Sequence, residues 1–531
     1  MSEKNYISKH IFLFPFKWAY TGSNSKDKYI EISEKLDIEK IAKEIEKLNQ
    51  WGNYSFEGYD SYNLKKYYYN NVGDVIFSDK KNTVLNYIYK YRNGKYCITI
   101  KNNESEKSYY ELEIKNIRLN IYKTGIGVLI FNLENYNESK DLFEEMKDVF
   151  KINNYGRRVY PQFLPIDEAK NKILPEEVSI NFCKIHEEIT EKFEYGYEKD
   201  NYLSNIITKT LGDVFYFNNE SSAGKIKIEP IIDDRMYVIC HYKNNYFSKK
   251  LSDKNIKNEY KYLEDVDWNS FMFIDNFNDC TIQDKDMILN SNKKHTYNRW
   301  TDYGTFYGLT RYSTLVLTEK NEDFFVNKLL PSHIENLYLN MVLLVLVQRS
   351  TILYFYDLIT DMTNNFIISN KNFEKEYEKL NIEFIDFKNR MYFNEVTPQE
   401  QGIEMYRKMR EVMEIEKNFE ILDEKIKGLY EFSNAVKTRK KNNILFYLTL
   451  AASILTLEGV LGIKTEPTKN LLIGYLIFLG IGISIYIASM FIKNKNIQIF
   501  FKKLKLEKII KPIILITVYV IYFIIKLLFN K

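Results

Sequence analysis

The stretch ILFYLTLAASILTLEGVLGI, residues 444–463, decides how the chain is read. About 20 predominantly apolar residues at 1.5 Å per residue match a hydrocarbon core of roughly 30 Å. A second run, LLIGYLIFLGIGISIYIASMFI at residues 471–492, follows after the short link 464–470. Together they predict a transmembrane helical hairpin over residues 442–492. Lys437, Arg439, Lys440 and Lys441 precede it, and Lys493, Lys495, Lys502, Lys503, Lys505 and Lys508 follow it. Lys and Arg are retained on the cytoplasmic side, so both flanks, and with them the large N-terminal part, are expected in the cytoplasm. Residues 493–531 form a basic linker and a third apolar segment, 512–529, bounded by Lys511 and Lys526. That segment either spans with its lysines snorkelling or lies in the interface plane.

The 531 residues leave room for two or three domains. The formal net charge of +4 hides an asymmetry: residues 493–531 hold nine Lys and one Glu, net +8, which leaves −4 on the rest. The basic charge is therefore membrane-proximal and suited to a lipid bilayer with anionic headgroups, and direct nucleic-acid binding is not expected. Cys97, Cys183, Cys240 and Cys280 form no CxxC pair and read as buried or incidental thiols of a reducing compartment. The apolar run 11–16 is too short for a signal-peptide core, so the first span is expected to target the chain. GxxxxGK[ST], HExxH and GxSxG are missing from the sequence, and the five His are dispersed without a ligand spacing. The sequence thus reads as a non-enzyme, with a membrane-anchored nucleotide-sensing enzyme as the competing class. It names no metal ligands.

Residues 1–330 read as a cytoplasmic α+β (α/β-type) sensor domain. Strands are predicted at 96–101, 109–119 and the apolar run 128–133, with turns at Asn93-Gly94 and Thr124-Gly125 and helices near 38–48 and 175–193. Residues 331–396 read as a helical segment packed on that domain. Within it, 334–362 comes close to a membrane span, but Gln348 and Arg349 interrupt the apolar run, and an Arg at a bilayer centre costs a few kcal/mol. A second helix over 372–391 is expected to return beside it. Thr397-Pro398-Gln399-Glu400 has the form of a capping box and predicts the start of a stalk helix, 397–441. Val412, Ile415, Phe419, Leu422, Ile426, Leu429 and Val436 recur at steps of three, four and seven, a heptad seam. No Pro intervenes before Pro467, so one helix is expected over 398–463, about 100 Å long, with an ending near Gly428 as the alternative.

Inside the first span, Asn442, Thr449, Ser453 and Thr456 share one helix face. Such a stripe either lines a pore or bonds back to its own helix. Glu458 is the carboxylate within the span and lies about 180° round from Thr449.

A cytoplasmic α/β domain, a heptad helix entering the first of two closely spaced spans, and a basic segment after the second resembles the CorA family of divalent-cation channels. EGVLGIK at residues 458–464 is similar to that family's AGxxGMN segment, with both glycines in register and Ile463 in place of Met. The resemblance implies a homopentamer whose first span lines the pore through Asn442, Thr449, Ser453, Thr456, Gly462, Ile463 and Lys464, with Glu466 in the loop at its mouth. It implies Mg²⁺ or another cation as the permeant species. Lys464 departs from the pattern, standing where the family places the Asn that contacts hydrated Mg²⁺. Five such lysines would repel a divalent cation, so constitutive Mg²⁺ transport is the alternative reading here.

HIFLFPFKW (residues 10–18), YGRRVYPQFL (155–164), YGLTRYS (307–313) and Gln348-Arg349 resemble divergent bacterial CorA-like proteins, a branch that includes proteins encoded beside type III CRISPR systems. That resemblance implies an anti-phage effector in the bacterial inner membrane, multi-pass and gated by a nucleotide second messenger, SAM-AMP. Arg157, Arg158, Arg299 and Arg311, interleaved with Tyr160, Trp300, Tyr303 and Tyr307, are then the expected phosphate and base contacts.

Overall fold

The computed structural model describes residues 5–460, apart from 22–35, 57–58, 78–82, 92, 103–105, 140, 160–172, 183–187, 194–202, 218–224, 234 and 370–372. The chain opens with β1 (Ser8–Tyr20), then α1 (Ile38–Ile45), β2 (Trp51–Asn53), α2 (Tyr59–Tyr67), α3 (Asn70–Ile76), β3 (Val84–Tyr89), β4 (Gly94–Lys101), β5 (Lys107–Tyr122) and β6 (Ile126–Asn135). There follow α4 (Leu142–Gly156), β7 (Glu177–Phe182), β8 (Glu188–Lys192), α5 (Asn205–Leu211), β9 (Phe215–Tyr216), β10 (Ile226–Pro230), β11 (Tyr237–Lys243), α6 (Asn245–Ser252), α7 (Val266–Phe273) and α8 (Lys285–His295). The chain continues through β12 (Thr296–Tyr297), β13 (Phe306–Leu309), β14 (Ser313–Thr318), α9 (Leu339–Ser369), α10 (Phe373–Arg390), α11 (Glu400–Val412) and α12 (Ile415–Val460). This is an α+β fold. It divides into one compact unit, Met1–Asn434, and a second, Ala435–Lys531.

One 14-stranded sheet organises the first unit, in the order β12-β13-β14-β11-β1-β6-β5-β4-β7-β8. All pairings along it are antiparallel except β11 with β14. The apolar run 11–16, too short for a signal core, becomes the centre of β1, and β6 is buried at every position. Strands covered on both faces read as continuous apolar runs, which is why β6 was visible in the sequence. Asn93 (φ 62°) and Gly125 (φ 86°) make the two predicted turns in the left-handed region. At Gly125 a Cβ would also stand 2.4 Å from Tyr354, so the turn and the close approach both require glycine.

The described residues of the helix expected over 175–193 are not helical: Glu177–Phe182 and Glu188–Lys192 pair as the antiparallel strands β7 and β8, with Ile180 opposite Ile189. Val178, Ile180 and Phe182 alternate with polar residues and are buried against the sheet, and that packing prevails over intrinsic preference.

The helical run Phe325–Asn364, which includes most of α9, is the one helix among the described residues long and apolar enough to cross a membrane by length and composition, and 72% of its most apolar stretch is buried within the protein. Gln348 is buried there and donates to Met391 O (2.8 Å) and Tyr406 Oη (3.1 Å). The polar residue that interrupts the run thus serves a protein interior.

The stalk region departs from the sequence reading at its start and in its continuity. Thr397 makes no capping box: its Oγ1 donates to Tyr67 O and accepts from Gln399 N (3.2 Å), and α11 begins at Glu400 with Gln399 as a cap without a side-chain bond. The expected single helix over 398–463 breaks at Met413–Glu414, where Glu414 adopts φ 51°. Beyond the break α12 passes through Gly428 and runs to Val460, about 69 Å at 1.5 Å per residue. Its seam closes within the chain. Phe419 lies 3.8 Å from Tyr392, nearly coplanar, and 5.8 Å from Phe384. Leu422 and Ile426 are buried, and Asp423 pairs with Lys388 on α10 (2.9 Å). Each such apolar side chain contributes about 1.5–3 kcal/mol.

Candidate functional site

Seven of the eight residues expected to meet a nucleotide lie among the described residues. Arg157 caps α4; its Nη2 donates to Ile274 O (3.3 Å), and it is buried. Arg158, also buried, bridges backbone to backbone with Arg235. Tyr160 lies outside the described residues. Arg299 grips both carboxylate oxygens of Glu404 on α11 at 2.8 Å, and Tyr297 Oη bonds the same carboxylate. Trp300 packs on Tyr297 (5.6 Å) and Tyr307 (5.5 Å), and Tyr307 is buried edge-on against Tyr338. Tyr303 is 81% exposed and apart from them. Arg311, in the β13–β14 turn, donates from Nε to Val412 O (3.3 Å) and pairs with Glu414.

Arg299 and Arg311 therefore fasten α11 and the break to the sheet. The sequence reading weighed these arginines against a phosphate and not against Glu404 and Glu414, more than a hundred residues away. Behind the break, Arg410 is buried and its guanidinium reaches Phe393 O, Tyr392 Oη (3.1 Å) and Asn394 Oδ1 (3.2 Å). A planar fork with several donors suits three acceptors held at fixed angles.

Of the expected pore residues, Asn442 and Thr449 are exposed on α12, and Thr449 Oγ1 donates back to Leu445 O (2.7 Å), the intrahelical bond weighed above. Ser453 and Thr456 lie on the same helix. Gly462, Ile463, Lys464 and Glu466, the second span and segment 512–529 lie outside the described residues, as does Cys183; Cys97, Cys240 and Cys280 are buried free thiols. Among the described residues no group of three or more His, Cys, Asp or Glu is disposed to hold a metal ion.

The structure brings another set of residues together. Ahead of α9 the helix widens twice, into π-helical turns at Phe325–Leu329 and His333–Tyr338, a distortion frequent at functional sites. Buried charges fasten both turns to the sheet. Register places Lys9 opposite Glu134 on β6 and His241 on β11. Lys9 Nζ lies 2.9 Å from Glu134 and also pairs with Glu335 of the second turn. Lys243 donates to Asn327 of the first (3.0 Å) and sits 4.2 Å over the Tyr6 ring. Burial, with Lys9 nearby, lowers the Lys243 ammonium to about 8.

Between these turns and α2 lies a cavity of about 520 Å³, within the range of small-molecule sites. Tyr54, Phe56 and Tyr67 give it aromatic walls, and Asn63, Ser332, His333 and Asn336 give it donors and acceptors; none of its described lining residues is acidic. Burial holds the His333 imidazole below its ordinary range, hence neutral at pH 7. Arg118 of β5 stands against the Tyr54 wall, its guanidinium 5.3 Å from the ring centre. It is 7% exposed, and its Nε has no hydrogen-bond partner. Asn116 Oδ1 and Asn132 Oδ1, paired across β5 and β6 on the same face, are also without partners. A sequence signal for this face existed: Asn116, Arg118 and Asn120 alternate with Ile117 and Leu119 in a strand whose partner β6 is buried throughout.

Tyr67 joins the cavity to the helices beyond it. Its carbonyl accepts from Thr397, and its hydroxyl would be 2.6 Å from a Cβ at Gly402 of α11. No family model and no curated protein matches the chain.

Proposed function

We propose that the chain is a CorA-like ion channel of the bacterial inner membrane. It spans the membrane at 444–463 and 471–492, assembles as a homopentamer, and opens when its N-terminal unit binds a nucleotide second messenger, SAM-AMP. It would serve as an anti-phage effector of the type III CRISPR-associated kind. The observation that carries this reading is α12. The helix begins among buried contacts at Ile415, Phe419 and Leu422 and continues unbroken to Ile444–Leu448, five consecutive apolar residues each 49–60% exposed. Five consecutive positions cover the whole circumference of a helix, and a helix apolar all round is buried in lipid or in other helices.

Gating needs two packings of this helix with different affinity for the ligand. Moving such an equilibrium from 1:99 to 99:1 takes about 5.5 kcal/mol of differential binding. The clasp of Arg311 and Arg410 on the α11–α12 break lies where a repacking of the N-terminal unit reaches α12. The test is cation flux from liposomes holding the full-length protein, with and without SAM-AMP. Flux that requires the ligand, and that Thr456→Leu reduces, supports the proposal. Mg²⁺ flux without ligand would assign constitutive transport instead, and nucleotide turnover without flux would assign an enzyme.

A further inference from the structure

The geometry points to the cavity between α2 and the π-helical turns as a nucleotide-binding site, with Tyr54 and Tyr67 receiving the base and Arg118 the phosphate. This deepens the ligand-gated reading above and rests on it for its role, though not for its chemistry. Arg118 is 93% buried, its guanidinium lies 5.3 Å from the centre of the lining Tyr54 ring, and its Nε meets no acceptor among the described residues, an arrangement that is costly to hold unless something else supplies an anion. A phosphate supplies it bidentately. The aromatic walls offer faces on which any base stacks, and Asn336, Ser332 and the neutral His333 offer both donors and acceptors to its edge. A carboxylate on the lining would repel the phosphate, and the described lining residues include none.

The site is also connected. The second π-helical turn supplies His333, Asn336 and Leu337 to the cavity, and Leu337 O accepts from Tyr68 Oη at 2.7 Å. Its neighbour Tyr67 touches Thr397 and Gly402, which lead into α11. A base seated against Tyr67 presses on the element that carries the break.

The test is calorimetric titration of detergent-solubilised full-length protein with adenosine 5′-monophosphate, adenosine and inorganic phosphate. The monophosphate is expected to bind at least tenfold more tightly than adenosine. R118Q should bring it down to the adenosine level while leaving adenosine unchanged. N63W, at an exposed α2 position on the cavity lining, should abolish binding of both without touching the core. No binding of the monophosphate, or wild-type binding by both variants, would overturn the assignment. Parallel liposome flux separates the two readings. SAM-AMP-dependent flux that survives R118Q and N63W removes the cavity and leaves the channel. Monophosphate binding lost in both variants, with no flux from any protein, keeps the cavity and removes the channel.

Discussion

Two glycines on α11 and α12 test the packing of this region, because the same substitution should have opposite signs at the two positions. Gly428 sits in α12 with nothing within 4 Å of an added Cβ. Gly428→Ala should therefore stabilise by about 1 kcal/mol, the ordinary helical preference for Ala over Gly. At Gly402, in the first turn of α11, the added methyl would stand 2.5 Å from Thr397 Cγ2, 2.6 Å from Tyr67 Oη and 3.1 Å from Met341 Cε. The tyrosine tip can shift. Thr397 is fully buried and bonded to Tyr67 O, so it cannot. Overpacking of this kind costs about 1–3 kcal/mol and outweighs a helix-propensity gain reduced by the position near the helix start. The net expectation for Gly402→Ala is a loss of about 1–2 kcal/mol, leaving the two variants about 2–3 kcal/mol apart. All four tryptophans, Trp18, Trp51, Trp268 and Trp300, belong to the first compact unit. Urea titration of the full-length protein followed by tryptophan fluorescence therefore reports on the unit that holds both sites. A Gly402→Ala midpoint at or above wild type, at unchanged slope, would refute the close approach of Tyr67 and Thr397 to α11.

Three further outcomes are expected. Arg410→Lys keeps the charge but loses the fork that serves Phe393 O, Tyr392 and Asn394, and should cost about 2–3 kcal/mol in the same titration; a wild-type midpoint would show that the fork does not matter. Burial lowers His10 from 6.5 to about 4 and lowers His241 well below its usual range, so between pH 6.5 and 4 the unfolded chain binds protons that the folded chain refuses and stability falls as pH falls, by about 3 kcal/mol for His10; His10→Gln should flatten the slope between pH 6.5 and 5, and an unaltered slope would exclude His10 as its source. If Lys464 sets the charge at the pore mouth, Lys464→Asn should raise divalent over monovalent flux in liposomes, and an unchanged ratio would remove it from the filter.

What the sequence disclosed and what it withheld divide along the range of the forces involved. β6 was legible as a strand from its apolar run 128–133, and the helices expected over 334–362 and 372–391 stand close to α9 and α10, because each is written in contiguous residues, whereas the run 11–16 reads only as too short for a signal core and not as a strand. The β7–β8 hairpin was misread where glutamates mask a period-two pattern that only the sheet enforces. The break at Glu414 carries no Pro or Gly; Arg311 holds it from a strand turn about a hundred residues earlier. The cavity was illegible for the same reason, since Tyr54, Arg118 and His333 converge only once β5 is registered against its neighbours and the helix ahead of α9 widens. The sequence alone does not sort the arginines, because an arginine is defined by its partner. Arg299 and Arg311 have carboxylates, whereas Arg118, which the sequence reading passed over, has an aromatic ring and no acid.

The break between α11 and α12 is energetically close to balanced, and that suits the change of packing that the proposed gating requires. A non-glycine residue in the left-handed region costs about 1–2 kcal/mol. Against this stand the Arg311–Glu414 pair, with both side chains partly in water, worth about 0–1 kcal/mol, and the Arg311 bond to Val412 O, worth about 1–2 kcal/mol. Asn418 adds the N–H and side-chain bonds that Glu414 O accepts at 3.1 and 2.8 Å, the first turn of α12 starting afresh. The flanks are not balanced in this way: buried Arg410 on one side and the Tyr392–Phe419 stack on the other each hold their helix by several kcal/mol. Rigid segments flanking a joint of small net energy are what a few kcal/mol of differential ligand binding can move. The contacts from the cavity through Tyr67 to Gly402 reach the N-terminal side of that joint, and the helix that enters the apolar stretch at Ile444 leaves from the other.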